Sequence, residues 1–118
     1  MSTIIYHKLV RDRIPEIITA SGKKPVVSSL SQSDMSGALD AKLKEEVAEF
    51  LESHSIEEIA DVLEVLRAIA SNHGVSWETV EEVRLEKYRK RGGFERGIVL
   101  ESVEEGESSG NDRSEERG

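Results

Sequence analysis

Two carboxylate clusters, Glu45-Glu46-Val47-Ala48-Glu49 and Glu58-Ile59-Ala60-Asp61, constrain this chain more than any other feature. Both fall in segments whose apolar residues recur with helical period. The second carries a stripe of Ile59, Val62, Leu63, Leu66, Ile69 and Ala70, with Glu58 and Asp61 at its edge. Glu46 with Glu49, and Glu58 with Asp61, are i,i+3 pairs, so each pair shares one helix face. The link at His54-Ser55 is short, which makes the two helices antiparallel neighbours. Four acids from facing helices then converge, and a bound hard cation relieves their mutual repulsion.

Each cluster taken alone also reads as a solvated helix face, because Glu is a good helix former. Glu58 has a second structural reading. Ser55-Ile56-Glu57-Glu58 fits a capping box, in which the Glu58 carboxylate accepts the backbone N–H of Ser55. The placement of both clusters on consecutive helices, beside an apolar stripe, favours the metal reading. Oxygen-only ligands point to magnesium or manganese. His7, His54 and His73 are scattered and no Glu-x-x-His occurs, against a di-iron bundle. The chain has no cysteine, which removes disulfides, thiolate zinc sites and cysteine nucleophiles.

Helices are predicted from between Ser33 and Ser36 to about Glu52, from after Ser55 to Asn72-His73-Gly74, and from Trp77 to about Lys90. A shorter one follows Pro15 and stops at Gly22. Val26–Leu30 and Ile98–Leu100 are β-prone but brief, enough for a minor ribbon at most. An all-α bundle is expected. With 36% hydrophobic and 4% aromatic residues in 118, its core is thin for a monomer, so a second subunit is expected to complete it. Residues 1–100 form the expected domain. Residues 101–118 hold seven acids against two arginines, −5 of the total −8, and too little apolar surface to order them. That acidity argues against nucleic-acid binding. No run of about 18 apolar residues suggests a membrane span, and the N-terminal segment lacks a signal-peptide core. A cytoplasmic protein is the expectation.

Carboxylate-held magnesium usually meets substrate phosphates, and two groups of cations are available to neutralise them. Lys8, Arg11 and Arg13 lie among Leu9, Val10 and Ile14, and Lys87, Arg89, Lys90 and Arg91 precede Gly92-Gly93. The second group also suits a helix C-terminus on charge grounds alone, and Arg13 can equally pair with Asp12. Ser21-Gly22-Lys23-Lys24 is not a P-loop, lacking the upstream glycine and the hydroxyl after lysine.

The acid clusters read EEVAE and EIAD, and their EExxE…ExxD pattern resembles the all-α, MazG-like nucleoside triphosphate pyrophosphohydrolases. YHKLVRDRIPEII, SGKKPVV, KLKEEVAEFLE, EEIADVLEVL and KYRKRGGFERGIVL together resemble a small branch related to phosphoribosyl-ATP pyrophosphohydrolase, over roughly residues 5–101. The resemblance implies a helical bundle shared between subunits of a homodimer or tetramer. It implies Mg2+-dependent hydrolysis (Mn2+ as a substitute) between the α- and β-phosphates, giving a monophosphate and pyrophosphate, in the removal of unwanted nucleotides. By motif position Glu46, Glu49, Glu58 and Asp61 are the implied metal ligands, and Glu45 orients or deprotonates the water. Lys8, Arg11, Arg13, Lys87 and Arg91 are the implied phosphate contacts. The Glu49–Glu58 spacer is shorter than in many relatives, which leaves Glu57, four residues before Asp61, as a substitute for Glu58, and Glu64, one turn beyond Asp61, is a candidate additional ligand. Phe50, Trp77 and Tyr88 are candidates for contact with the base. Two rivals remain: phosphoribosyl-ATP pyrophosphohydrolase itself, and a non-catalytic helical assembly module.

Overall fold

A computed structural model describes residues 2–106 and contains four helices. Pro15 sits in the first turn of α1 (Ile14–Ala20), where its missing N–H is harmless. The helix ends at Gly22, whose φ of +89° is open to glycine. The second helix, α2 (Gln32–Ser53), starts slightly earlier than the sequence suggested. Ser31 caps it, its Oγ accepting the Asp34 N–H at 3.2 Å, and Gly37 is absorbed within the helix. Only His54 and Ser55 separate α2 from α3 (Ile56–Asn72), and His54 makes the reversal by adopting a left-handed φ of 54°. Gly74, with φ +74°, ends that helix as expected. Ser76 Oγ accepts the Thr79 N–H at 3.2 Å to open α4 (Trp77–Arg91), and Gly92 at φ +78° closes it.

The chain divides into two compact units, residues 1–85 and 86–118, with the boundary inside α4. The four helices among the described residues all lie within residues 1–100. In the first unit α2 and α3 pack as the expected antiparallel pair. Gln32 Nε2, at the start of α2, donates to the Asn72 carbonyl at the end of α3 at 3.1 Å. Leu39 and Val65 are buried, and Met35, Leu43, Phe50, Val62 and Ile69 are half-buried around them. Two buried aliphatic side chains contribute at most about 1.5–3 kcal/mol each. That is little against the backbone entropy of helices this long.

The predicted stripe on α3 is split by the packing. Val62, Ile69 and Ala70 are half-buried, while Ile59, Leu63 and Leu66 stay exposed. Glu58, Asp61, Val62 and Val65, at i, i+3, i+4 and i+7, make up the covered face instead. Ile59, Leu63 and Leu66 lie on the adjoining face, and α2 is too narrow to cover both.

The second unit holds the last turns of α4 and a turn closed by Gly97 N–H to Phe94 O at 3.0 Å. Among the described residues there is no strand, at Val26–Leu30 and Ile98–Leu100 included. Residues 101–106 are exposed and irregular, whereas the rest of the acidic tail expected over 101–118 lies outside the described residues. Among the described residues no helix is long and apolar enough to cross a membrane.

Candidate metal centre

The antiparallel reversal at His54-Ser55 brings acids from α2 and α3 together. Glu46, Glu58 and Asp61 each present a carboxylate oxygen, and these oxygens lie within 4.8 Å of one another. An ion with metal–oxygen bonds of about 2.1 Å needs ligand oxygens roughly 3–4 Å apart, so the group is close to ligating geometry. Glu46 is 6% exposed, and its Oε2 and the Oε2 of Glu58 are buried without a hydrogen-bond partner. A buried carboxylate oxygen left unsatisfied is destabilising, and a divalent cation between these residues would satisfy both. The residues present therefore fit an oxygen-ligated hard cation.

Burial pushes the Glu58 carboxyl up to about 7, reinforced by the adjacent Glu46 carboxylate and by the charges of Glu49 and Asp61. The repulsion anticipated from the sequence is thus concentrated on one residue. The capping alternative for Glu58 is resolved as well. Ser55 Oγ accepts the Glu58 N–H at 3.2 Å, but the Ser55 N–H donates to Ser53 Oγ at 3.3 Å, leaving the Glu58 side chain free to face Glu46.

Glu49 stands outside the three-acid group and is exposed, although its charge still bears on Glu58. Glu57 and Glu64 are also exposed and outside it. Glu45 is committed elsewhere: Lys8 Nζ lies 3.2 Å from its Oε1 and Lys42 Nζ 3.5 Å from its Oε2. Burial opposes ionisation of Glu45, but the hydrogen bonds and charges of Lys8 and Lys42 outweigh it and hold the carboxyl below 4.5. A carboxylate so stabilised is a weak base.

Of the expected phosphate contacts, two reach this site. Lys8 pairs with Glu45, and Arg11 Nη2 pairs with Asp61 Oδ1 at 2.7 Å. Arg13 instead pairs locally with Glu16 at 2.8 Å, neither with Asp12 nor with the acid group. Lys87 and Arg91 are exposed on the last turns of α4, in the second unit. Lys42, which the sequence reading passed over, approaches Glu46 Oε1 at 3.4 Å. Its spacing of four residues from Glu46 was the available signal. The aromatic candidates are dispersed. Phe50 meets His54 edge to face, Trp77 lies under the Arg67 guanidinium at 5.1 Å, and Tyr88 is exposed in the second unit.

No protein-family profile matches the chain, and no solved structure matches it. It is similar to an uncharacterized protein of Mycolicibacterium smegmatis, 64% identical over 42 residues. The match spans 36% of this chain and 43% of that protein's length.

Proposed function

We propose that the chain is a Mg2+-dependent hydrolase of nucleoside triphosphates that yields a monophosphate and pyrophosphate. The observation that carries this reading is the convergence of Glu46, Glu58 and Asp61, two of them with buried, partnerless oxygens. The resemblance of EEVAE…EIAD and LVRDRIP to the MazG-like enzymes supplies the reaction. Glu46, Glu58 and Asp61 would hold Mg2+ or Mn2+, with Glu49 in reach of the charge they share. The bound ion neutralises phosphate charge and lowers the pKa of its water. Arg11 offers a donor at Asp61 and Lys8 one at Glu45, the residue before Glu46, and both would receive the polyphosphate. Glu45 holds Lys8 and Lys42 in place, and its low basicity suits orienting the water more than deprotonating it.

A homo-oligomer is part of the proposal, with a second copy covering Ile59, Leu63 and Leu66 of α3, which are exposed in the single chain. Those same residues favour one second reading, a helical assembly module without catalysis. The two part in a single assay. Ribo- and deoxynucleoside triphosphates are incubated with Mg2+, and monophosphate, pyrophosphate and orthophosphate are scored. Monophosphate with pyrophosphate supports the enzyme. Orthophosphate alone overturns the bond assignment, and no product from any triphosphate leaves the assembly reading.

A further inference from the structure

The segment preceding α1 carries two cations that reach far along the chain. Lys8 meets Glu45 at 3.2 Å and Arg11 meets Asp61 at 2.7 Å, across sequence separations of 37 and 50 residues. The segment has no regular structure of its own, and these two ion pairs link it to α2 and α3, with Leu9 half-buried between them. It acts as a strap laid over the acid group.

Asp61 is claimed twice. It belongs to the three-acid group and at the same time accepts from Arg11. A divalent cation held by Asp61 would stand within a few ångströms of the guanidinium, and like charges at that range oppose each other strongly. The Arg11 side chain is 55% exposed, so it has room to leave. Its planar fork also matches phosphate oxygens in a bidentate way, which gives the freed group a ligand of higher charge.

We propose that Arg11 and the divalent cation compete for Asp61, so that cation loading removes one of the two long-range ion pairs of the N-terminal segment and frees Arg11 for an anionic ligand. This rests on the cation site proposed above. It differs in sign from the alternative role for such a pair, in which a neighbouring donor orients a ligand and strengthens metal binding. Under competition, removing Arg11 tightens cation binding. Under orientation, removing it weakens binding.

The test uses the full chain. Because the chain has no cysteine, Thr3→Cys provides a single place for a nitroxide label on the strap. Mg2+ binding is measured by calorimetry, and label mobility by electron paramagnetic resonance, with and without Arg11→Gln. Competition gives Mg2+ binding at least about 5-fold tighter in Arg11→Gln, the lower end of ordinary coupling between sites. In a Lys8→Ala background, where the Lys8–Glu45 pair no longer holds the segment, it also gives a label that loosens as Mg2+ saturates while Arg11 is present, and one already loose in Arg11→Gln. Unchanged or weaker Mg2+ binding in Arg11→Gln, or a label indifferent to bound Mg2+, overturns the competition while leaving the cation site standing. Absence of Mg2+ binding in both proteins overturns the site and the competition with it.

Discussion

Ser53 Oγ takes the backbone N–H of Ser55, at 3.3 Å, that a capping box would have given to Glu58. The consequence reaches the acid group. Glu58 keeps its backbone in the first turn of α3, capped by Ser55, while its carboxylate is left to face Glu46 and Asp61. One hydroxyl at the end of α2 thus decides whether Glu58 serves the helix or the site.

The Ser55 hydroxyl is the cap that remains, and its loss has a predictable size. Ser55→Ala should lower stability by about 1 kcal/mol, the usual value for an N-cap serine. Urea denaturation followed by circular dichroism measures it, and a change below about 0.3 kcal/mol would show that the cap contributes little.

The acids that make the site should be required for its chemistry and not for the helices. Glu46→Gln and Asp61→Asn are each expected to reduce triphosphate hydrolysis by at least about 100-fold, in line with the loss of charge stabilisation around a reacting phosphate. Far-ultraviolet circular dichroism should stay that of the parent protein. Wild-type turnover in both variants would sink the ligand assignment.

The pH dependence of the metal-free protein separates two of these residues by sign. The Glu58 carboxyl titrates near 7 in the folded chain against 4.5 ordinarily, so between those values the folded chain holds a proton the unfolded chain has lost. Stability therefore falls as pH rises from 4.5 towards 7 and levels off above. Glu45 is held below 4.5, so its contribution is present above that value and disappears as pH falls through its lower folded value. Thermal melts without metal should thus show a lower Tm at pH 8 than at pH 5.5, and Glu58→Gln should erase most of the difference. Added Mg2+ should raise Tm more at pH 8 than at pH 5.5, because at the lower pH it must displace a proton.

The elements themselves were legible in the sequence because each boundary carries its own chemistry. Pro15, Gly22, Ser55, Gly74, Ser76 and Gly92 stand where caps and left-handed turns demand such residues. The antiparallel pairing of α2 and α3 followed from a two-residue link. What periodicity alone did not decide is which side of α3 faces α2. Apolar counting gave a stripe of Ile59, Val62, Leu63, Leu66, Ile69 and Ala70, of which Val62, Ile69 and Ala70 are half-buried, whereas Val65, Glu58 and Asp61 share the covered side and Ile59, Leu63 and Leu66 do not. A cluster that buries charge breaks the rule that the buried face is the apolar one. For the same reason i,i+3 spacing placed Glu49 with Glu46, although only Glu46 lies deep enough to join the group. The partners of Lys8, Arg11 and Arg13 depend on how an irregular segment crosses the helices, and no periodicity encodes that.

Arg13 offers a control for the basic cluster. Its guanidinium is bound to Glu16 at 2.8 Å on an exposed surface, so Arg13→Ala should change stability by no more than about 0.5 kcal/mol. Nucleotide KM should move far less than in Lys8→Ala, whose ammonium stands beside Glu45 at the site. Equal KM effects would mean that both cations meet substrate.

The uncovered face of α3 leads to the last expectation. Ile59, Leu63 and Leu66 recur at i, i+4 and i+7, forming one apolar row along a helix whose other face is already packed on α2. Leaving such a row in water forfeits roughly 25 cal/mol for each Å2 of apolar surface that a partner would bury. Leu63 lies in the middle of the row, so a charge there harms association while the α2–α3 contact, made by Val62 and Val65, is left alone. Leu63→Glu should therefore convert an oligomer to a 13.1 kDa monomer in sedimentation equilibrium with helical content retained. If the parent protein already sediments as a monomer at tens of micromolar, the row is not a subunit interface, and its exposure has another cause.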